Sequence, residues 1–336
     1  MSARVCCSNA SADLHSLINA VHRCDKIITK METVIMDFVN MEIPQITFDP
    51  RLESANIFSD VFGTLGHQEW NEVLVKSIDI NKIETVEFPT FPPTELQNRI
   101  HGHDSITSLN EASEFYKLAC DHNIAGPTSA AFQSGYMLDY GCGWGRILRQ
   151  FMRDFPLKNI VGYEPSGIFG TVARANNPYV AFLGGGYMPD GILPESRFDL
   201  IVGWSVYSHL SETYAKAWLA ETARVLSPGG SAMYTTWGLR FLERLQAEEA
   251  QMNAGIDIHW YSKICLLGTG DINQRIEDYH SGKFVWCNSG NNDFYGEAFI
   301  SQKALQNIID EDSLPLVIDV FDTTTLGQDA FILRRI

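Results

Sequence analysis

The sequence lacks several features that would assign it to common functional classes. It has no run of about 18 apolar residues, the length that a membrane-spanning helix needs, and its start, MSARVCCSNASADLHS, lacks the apolar core of a signal peptide. Its seven cysteines are odd in number, form no C-x-x-C pair and match no zinc spacing. We therefore expect a cytoplasmic protein with reduced thiols, no bound metal and no membrane association.

Positive charge is also scarce. The 336 residues include 25 Lys and Arg against 41 Asp and Glu, which gives a formal net charge of -16 without any basic cluster. Because nucleic-acid affinity depends largely on Lys and Arg that neutralise phosphates, this balance argues against a nucleic-acid partner. Hydrophobic residues make up 45% of the chain, which is ordinary for a globular protein with a substantial core.

The first 125 residues are predicted to form a mainly helical region. Between residues 11 and 40 apolar side chains recur every seven residues, with a second apolar residue between each pair, which makes a narrow seam on one helix. Its members are Leu14, Leu17, Val21, Cys24, Ile28, Met31, Ile35 and Phe38. Such a seam predicts a homodimer through this helix, and packing along its own domain is the alternative. Further on, Ser108 and Glu111 have capping-box spacing, which predicts a helix over about 109–123.

From residue 136 the pattern changes to short apolar runs that alternate with amphipathic segments. The runs YMLDY, NIVGYE, YVAFLG, FDLIVGWS and SAMYTTWG are typical of strands, and GRILRQFMRDF and ETYAKAWLAETARVL are typical of helices. Strands that alternate with helices favour parallel pairing in a doubly wound α/β sheet. Near the end of the chain, LPLVIDVFD and DAFILRRI are separated by only a few turn residues, so we expect an antiparallel hairpin there.

The segment MLDYGCGWGRI, residues 137–147, contains the strongest local motif. A predicted strand enters a turn with glycines at 141, 143 and 145, and a predicted helix follows. A Walker loop would need G-K-[ST], and a dinucleotide fingerprint would need glycine where Arg146 stands. Asp139, just before the glycines, suits a ligand with an ammonium group better than one with phosphates. The loop therefore predicts a ligand without phosphate, close to the backbone.

In this order and at this spacing, the motifs resemble those of class I S-adenosylmethionine-dependent methyltransferases of the small-molecule type. The resemblance rests on LDYGCGWGR, VGYEPS, FDLIVGWSVYSHLSE and WLAETARVLSPGG, and on the terminal hairpin. It implies a Rossmann-like α/β sheet that is mostly parallel, with a C-terminal antiparallel hairpin, after an N-terminal helical region. We expect an N-terminal mainly helical region at 1–125 that dimerises and acts as a lid. The resemblance implies an S-adenosylmethionine-binding methyltransferase domain at 126–336, with an acceptor-binding insertion at about 239–300.

The resemblance also implies which residues would bind S-adenosylmethionine. Glu164, at the end of the second strand, would accept hydrogen bonds from the ribose, and Asp139 would favour the ammonium group above the glycine loop. The family commonly places an Asp after the third strand to bind adenine, whereas GGGYM stands there in this chain. Adenine would then meet groups near Tyr187 and Met188, or Asp190. The full predicted set is Asp139, Gly141, Gly143, Gly145, Glu164, Pro165, Tyr187, Met188, Trp204 and Ser205.

The acceptor side is predicted from chemistry and from one long insertion. Methyl transfer from a sulfonium is an in-line displacement, so the protein mainly aligns the acceptor and excludes water. His209, in SVYSHL, is the candidate catalytic base for a hydroxyl acceptor, and packing or capping of the next helix is its alternative role. Residues 239–300 mix aromatics, amides and acids, as is typical of a lid over a small polar acceptor such as a sugar, amino-acid derivative or natural product. The predicted acceptor-binding residues are Tyr207, Trp237, Tyr295 and Glu297.

Two other functions stay open on the sequence alone. An NAD-dependent oxidoreductase uses a similar sheet, although the missing third dinucleotide glycine and the terminal antiparallel pair count against it. A non-catalytic S-adenosylmethionine-binding protein would keep the pocket without the reaction. The predicted function is S-adenosylmethionine-dependent methyl transfer to a small polar acceptor, with O-methylation favoured over N-methylation.

Overall fold

The computed structural model describes residues 56–288 and 293–336. The predicted heptad helix over 11–40, and with it the predicted dimer contact, lies outside the described residues. The described chain opens with α1 (Ile57–Phe62), α2 (His67–Lys76), β1 (Lys82–Ile83), β2 (Val86–Glu87), α3 (Thr94–His101) and α4 (Ser105–Asp121). The strands β1 and β2 pair with each other as a short antiparallel hairpin, so this part is mainly helical.

The α/β part follows with regular alternation. It contains β3 (Met137–Tyr140), α5 (Leu148–Phe151), β4 (Ile160–Tyr163), α6 (Gly167–Asn176), β5 (Ala181–Leu183), β6 (Phe198–Gly203), α7 (Glu212–Val225) and β7 (Leu226–Thr236). The insertion then contributes α8 (Leu239–Asn253), α9 (Trp260–Thr269), α10 (Ile272–Ser281), β8 (Val285–Cys287) and β9 (Glu297–Phe299). The chain closes with α11 (Gln302–Glu311), β10 (Leu316–Asp322) and β11 (Asp329–Arg335).

Seven strands form one sheet in the order β10-β11-β7-β6-β3-β4-β5. The pairs β3–β4, β3–β6, β4–β5 and β6–β7 are parallel, whereas β11 pairs antiparallel with both β7 and β10. The predicted doubly wound, mostly parallel sheet with a C-terminal antiparallel hairpin is therefore confirmed. Because the parallel strands end at the same edge, the loops after β3, β4 and β6 meet there.

Apolar side chains cover both faces of the sheet. One core cluster joins the N-terminal helices to β3 and the segment after it, and includes Phe58, Trp70, Phe115, Tyr116, Met137, Leu148 and Phe151. The other face packs against α7 and α11, and its cluster includes Tyr140, Trp218, Leu219, Leu305 and Phe331. Since residues between 58 and 125 share a core with the sheet, α4 has a fixed position against the loop after β3. None of the described helices is long and apolar enough to cross a membrane.

Helix α4 begins earlier than the capping-box spacing predicted. Asp104 is its N-cap, and the side chain of Asp104 accepts a hydrogen bond from the Thr107 backbone N at 2.9 Å. The helix therefore starts at Ser105, and Ser108 is buried within its first turns rather than capping it. The predicted start at about 109 was wrong because a second capping residue stands four positions earlier.

The segment GRILRQFMRDF forms a shorter helix than its pattern predicted, since α5 covers only Leu148–Phe151. Two side chains from the N-terminal helical part take carbonyl oxygens that a longer helix would use internally. Trp70 Nε1 donates to the Gln150 carbonyl at 2.9 Å, and Asn56 Nδ2 donates to the Met152 carbonyl at 2.8 Å. Long-range hydrogen bonds therefore replace regular helical ones after the first turn.

Candidate active site

The glycine loop, residues 141–145, leaves the end of β3 at the ligand edge of the sheet. Its glycines at 141, 143 and 145 have φ values of 68°, 54° and 90°, a region that residues with side chains rarely adopt. A Cβ on Gly141 would lie 2.6 Å from Val206 Cγ2, and one on Gly145 would lie 2.7 Å from Asn177 Nδ2. The backbone conformation and the packing of neighbouring side chains therefore both require glycine here.

Glu164 follows β4 and holds the glycine loop. Its Oε2 accepts a hydrogen bond from the Gly143 backbone N at 2.8 Å, and its Oε1 accepts one from the Ser166 backbone N at 2.9 Å. The side chain is buried, which raises the pKa of the carboxyl, while these two backbone donors act to lower it. Each oxygen keeps a second lone pair, so the carboxylate can still accept two hydroxyl hydrogens. Pro165, half-buried, follows it directly.

Asp139 lies beneath the loop near the end of β3. Its Oδ2 accepts a hydrogen bond from the Leu148 backbone N at 3.2 Å, so the carboxyl caps the start of α5. Burial raises the pKa of Asp139 to about 8, although the Leu148 donor and the Arg146 guanidinium act to lower it. This capping contact was not foreseen from the sequence, because the two residues belong to different elements.

The predicted adenine-side residues lie in the loop after β5. The side chains of Tyr187 and Met188 are 47% and 38% exposed. The Tyr187 carbonyl accepts a hydrogen bond from Trp218 Nε1 at 2.7 Å. The centroid of the Tyr187 ring lies 4.5 Å from that of the Phe294 ring. The loop is therefore anchored to α7 by its backbone, and it presents apolar side chains outward.

Trp204 and Ser205 follow β6 at the same edge. The Trp204 ring lies edge-on to Phe115 of α4 at 5.3 Å between centroids. Ser205 has φ 57°, and its backbone N donates to Thr235 Oγ1 at 2.7 Å. Its hydroxyl oxygen accepts a hydrogen bond from Gln328 Nε2 at 2.8 Å. The sequence analysis did not predict Gln328 as a site residue, because only the pairing of β11 with β7 brings it to this edge.

His209 lies in a second cluster at this edge. Its Nδ1 is 2.9 Å from the Gly296 carbonyl oxygen. A carbonyl oxygen can only accept, so Nδ1 carries the hydrogen and the neutral ring has its acceptor lone pair on Nε2. Nε2 lies 3.5 Å from Ser205 Oγ, and the side chain is 15% exposed. The imidazole is therefore fixed in the tautomer that can take a proton at Nε2.

The predicted acceptor-side residues from the insertion surround this imidazole. Glu297 Oε2 lies 3.6 Å from His209 Nδ1 and accepts a hydrogen bond from Trp237 Nε1 at 2.7 Å. The Tyr295 ring stacks on the imidazole, with centroids 4.7 Å apart and planes at 8°. Burial raises the pKa of Glu297, and the neighbouring His209 acts to lower it. A carboxylate beside Nδ1 can stabilise the imidazolium that forms when Nε2 takes a proton.

Tyr207 lies apart from this cluster. It is fully buried in the core, with ring centroids 4.7 Å from Tyr234 and 5.6 Å from Phe331. Its contacts are those of a core residue behind the loop after β6, and its predicted role in acceptor binding stays a prediction. Within the described ranges, no three His, Cys, Asp or Glu side chains are grouped so that they could hold a metal ion.

A comparison with protein families identifies the central part of the chain. Residues 137–230 match the family described as a methyltransferase domain. This part of the chain is a methyltransferase domain. It spans the glycine loop, Glu164 and His209, and ends within β7. The chain is accordingly an enzyme that transfers methyl groups, and the family implies S-adenosylmethionine as the cofactor.

Several solved structures are similar to this chain. An S-adenosylmethionine-dependent methyltransferase from Clostridium acetobutylicum is 12% identical, covering 72% of this chain and 96% of its own, with a TM-score of 0.45. DesVI from Streptomyces venezuelae is 15% identical, covering 72% and 98%, with a TM-score of 0.45. A putative methyltransferase from Haloferax volcanii, solved with the Trm112 methyltransferase activator, is 13% identical, covering 67% and 90%, with a TM-score of 0.43. A comparison with curated protein sequences finds no match.

The residues at the sheet edge fit this donor. Glu164 is a nearly buried carboxylate with spare lone pairs, as ribose hydroxyls require, and it stands directly beside a loop whose backbone leaves no room for side chains. S-adenosylmethionine, when bound, supplies a methyl group that its sulfonium has already activated. The protein then has to hold the donor, align the acceptor and manage the acceptor's proton.

Proposed function

We propose that this methyltransferase domain methylates a hydroxyl oxygen of a small polar acceptor, with His209 as the general base. The supporting observation is the hydrogen bond from His209 Nδ1 to the Gly296 carbonyl, which leaves Nε2 available to take a proton. A hydroxyl is a weak nucleophile until its proton is removed, and a base within hydrogen-bonding reach removes it as the new bond forms. A neutral amine already has its nucleophilic lone pair, so it depends less on such a base.

Glu297 would assist the base from the opposite side of the ring. Its carboxylate lies beside Nδ1 and is held in place by Trp237, so the positive charge on a protonated His209 would be partly neutralised. Tyr295 would limit rotation of the imidazole by stacking, and its 51% exposure leaves ring surface for the acceptor. Aromatic surface next to a carboxylate and an imidazole suits a sugar, an amino-acid derivative or a similar natural product.

The donor would lie across the glycine loop. We propose that Glu164 binds the ribose, that Asp139 favours the ammonium group, and that Pro165, Tyr187 and Met188 border the adenine. Trp204 and Ser205 would border the methyl group, between the donor and His209. In this arrangement 126–336 form the catalytic domain, which follows the N-terminal region at 1–125, and 239–300 form the acceptor-binding insertion.

The proposal is tested with a panel of acceptors offered in matched pairs, each with a hydroxyl or an amine at the same position. The full-length protein is incubated with S-adenosylmethionine carrying a labelled methyl group, and products are mapped by mass spectrometry. We expect label on oxygen and a preference for the hydroxyl member of each pair. Label confined to nitrogen or carbon would contradict the assignment of a hydroxyl acceptor.

A further inference from the structure

Ser205, the second residue after β6, has a backbone conformation that serine rarely adopts. Its φ of 57° lies in the left-handed region, where glycine and asparagine are favoured. The Ser205 backbone N donates to Thr235 Oγ1 at 2.7 Å, which holds this conformation. Residues in such conformations cluster at functional sites. Since glycine would fit the backbone better, the hydroxyl group is the property that serine contributes here.

Two neighbours direct the hydrogen of the Ser205 hydroxyl. Gln328 Nε2 donates to Ser205 Oγ at 2.8 Å. Ser208 Oγ lies 3.1 Å from Ser205 Oγ, which is the one hydrogen-bond partner of the fully buried Ser208 hydroxyl within residues 56–288 and 293–336. With both as donors, the two lone pairs of Ser205 Oγ are filled. The hydrogen of Ser205 is then left for His209 Nε2, 3.5 Å away.

The Gln328 side chain keeps this contact although its other polar atom has no partner. The side chain is 7% exposed, and Oε1 is buried without a hydrogen-bond partner in the part of the chain that the structure describes. A buried oxygen without a partner is unfavourable, and an apolar side chain would avoid that cost. The hydrogen bond to Ser205 is therefore what the Gln328 amide contributes.

The base at His209 is reached through Ser205. Nε2 has a single lone pair, so a hydrogen from Ser205 occupies it. The Tyr295 ring covers one face of the imidazole, and the His209 side chain is only 15% exposed, whereas Ser205 is half-buried at the same edge. A separation of 3.5 Å is long for a hydrogen bond, as catalytic contacts often are before substrate binds and tightens them.

We propose that Ser205 relays the proton of the acceptor hydroxyl to His209. The acceptor takes the place of Ser208 on one lone pair of Ser205 Oγ, and Gln328 keeps the other. As the acceptor oxygen forms its bond to the methyl carbon, its proton moves to Ser205 Oγ and the Ser205 hydrogen moves to His209 Nε2. The carbon–sulfur bond breaks with its electron pair on sulfur, so the positive charge ends on the imidazolium. Ser205 is then a catalytic residue and Gln328 a positioning residue. The inference rests on the proposed hydroxyl acceptor and its base.

The first test needs no ligand. Nitrogen NMR of the full-length protein, labelled in histidine and assigned with His209→Gln, reports on both ring nitrogens. We expect Nδ1 of His209 to be protonated, and the Nε2 signal to shift in Ser205→Ala because its hydrogen bond is lost. Ser211→Ala is the matched control and should leave both signals in place, since the Ser211 hydroxyl lies after the same strand and is buried without a partner among the described residues. An Nε2 signal that Ser205→Ala leaves unchanged would overturn the relay.

The second test is a double-mutant cycle on turnover with an acceptor from the hydroxyl panel. Residues that act as one unit have non-additive effects. Ser205→Ala should lower kcat by about 10²–10⁴-fold, as loss of the base does, and adding His209→Gln should lower it little further. Gln328→Met should lower kcat in the wild-type background but not in Ser205→Ala, whereas a merely structural role would lower it in both. Ser211→Ala should keep full turnover.

The outcomes separate the relay from the proposed function. If His209→Gln lowers turnover and folded Ser205→Ala does not, or if the two losses multiply, the relay is wrong and His209 acts directly on the acceptor. If Ser205→Ala does not fold, Ser205→Gly decides, because glycine accepts the positive φ and lacks the hydroxyl; unchanged turnover would overturn the relay. If His209→Gln keeps full turnover, both the proposed base and the relay are wrong.

Discussion

Replacing Glu164 tests the donor site most quantitatively, because the structure shows what the side chain already does. In Glu164→Gln the amide keeps one acceptor oxygen, but its NH₂ must face either the Gly143 or the Ser166 backbone N–H. One buried hydrogen bond is then lost, which should lower the free energy of unfolding by about 1–3 kcal/mol. In Glu164→Ala both hydrogen bonds are lost, and the decrease should be larger.

Donor affinity should fall with the same substitutions. Glutamine can accept only at one oxygen, so we expect S-adenosylmethionine to bind more weakly to Glu164→Gln by about 1–3 kcal/mol, or roughly 5- to 150-fold. Calorimetry measures the affinity, and thermal unfolding with and without donor shows whether ligand-induced stabilisation shrinks in parallel. The control is Glu212→Gln on α7, where the side chain is 51% exposed. A folded Glu164→Gln with the affinity of wild type would refute ribose binding by this carboxylate.

Three further predictions concern other parts of the chain. The pKa of Asp139 is raised to about 8 in the fold, so its contribution to stability is present at low pH and is lost as pH rises towards that value. Relative to Asp139→Asn, the free energy of unfolding of wild type should fall between about pH 5 and 8, by at most about 1.4 kcal/mol per pH unit. Parallel plots of unfolding free energy against pH for the two proteins would contradict a raised pKa. Deleting residues 1–40 should lower the mass measured by light scattering by more than the deleted segment, whereas a monomeric full-length chain would rule out the dimer. Tyr295→Ala should raise the KM for the acceptor by about 2- to 10-fold without changing donor affinity, as loss of one aromatic contact would, and an unchanged KM would remove Tyr295 from the acceptor site.

The fold could be predicted where the signal is local and periodic. The runs that became β3, β4, β6 and β7 are short and apolar and are separated by segments long enough for a crossover, which fixes parallel pairing. The turn between β10 and β11 is too short for a crossover, which fixes antiparallel pairing. The glycine loop was also recognisable, because its positive φ values leave few alternatives to glycine.

The predictions failed where contacts with residues distant in sequence determine the local structure. The segment after the glycine loop was predicted as one helix, yet only Leu148–Phe151 is helical, and its arginines at 146, 149 and 153 are all buried. Their partners come from residues 62–116 and from Asn177, which no helical periodicity can indicate. The predicted start of α4 was wrong for a different reason. Asp104 and Ser108 are both acceptable N-cap residues, and the sequence alone does not show which of them caps the helix.

Several site contacts were equally invisible in the sequence. Glu164 binds the backbone of Gly143, 21 positions earlier, and Gln328 contacts Ser205 from the position just before the last strand. His209 could be proposed as a base from its place after the fourth strand, but its tautomer depends on the Gly296 carbonyl in the insertion. These contacts form only when the folded sheet brings distant segments of the chain together.

The most direct measurement is turnover of His209→Gln with an acceptor from the hydroxyl panel, together with the affinity of the same variant for S-adenosylmethionine. Glutamine keeps approximate size and a hydrogen-bonding end but has no basicity, so kcat should fall by about 10²–10⁴-fold while donor affinity stays close to that of wild type. His122→Gln, at an exposed position after α4, is the matched control and should retain full activity. Turnover that survives in His209→Gln would contradict general-base catalysis and leave alignment alone to explain the reaction. Donor binding that collapses along with turnover would instead place His209 in the donor pocket.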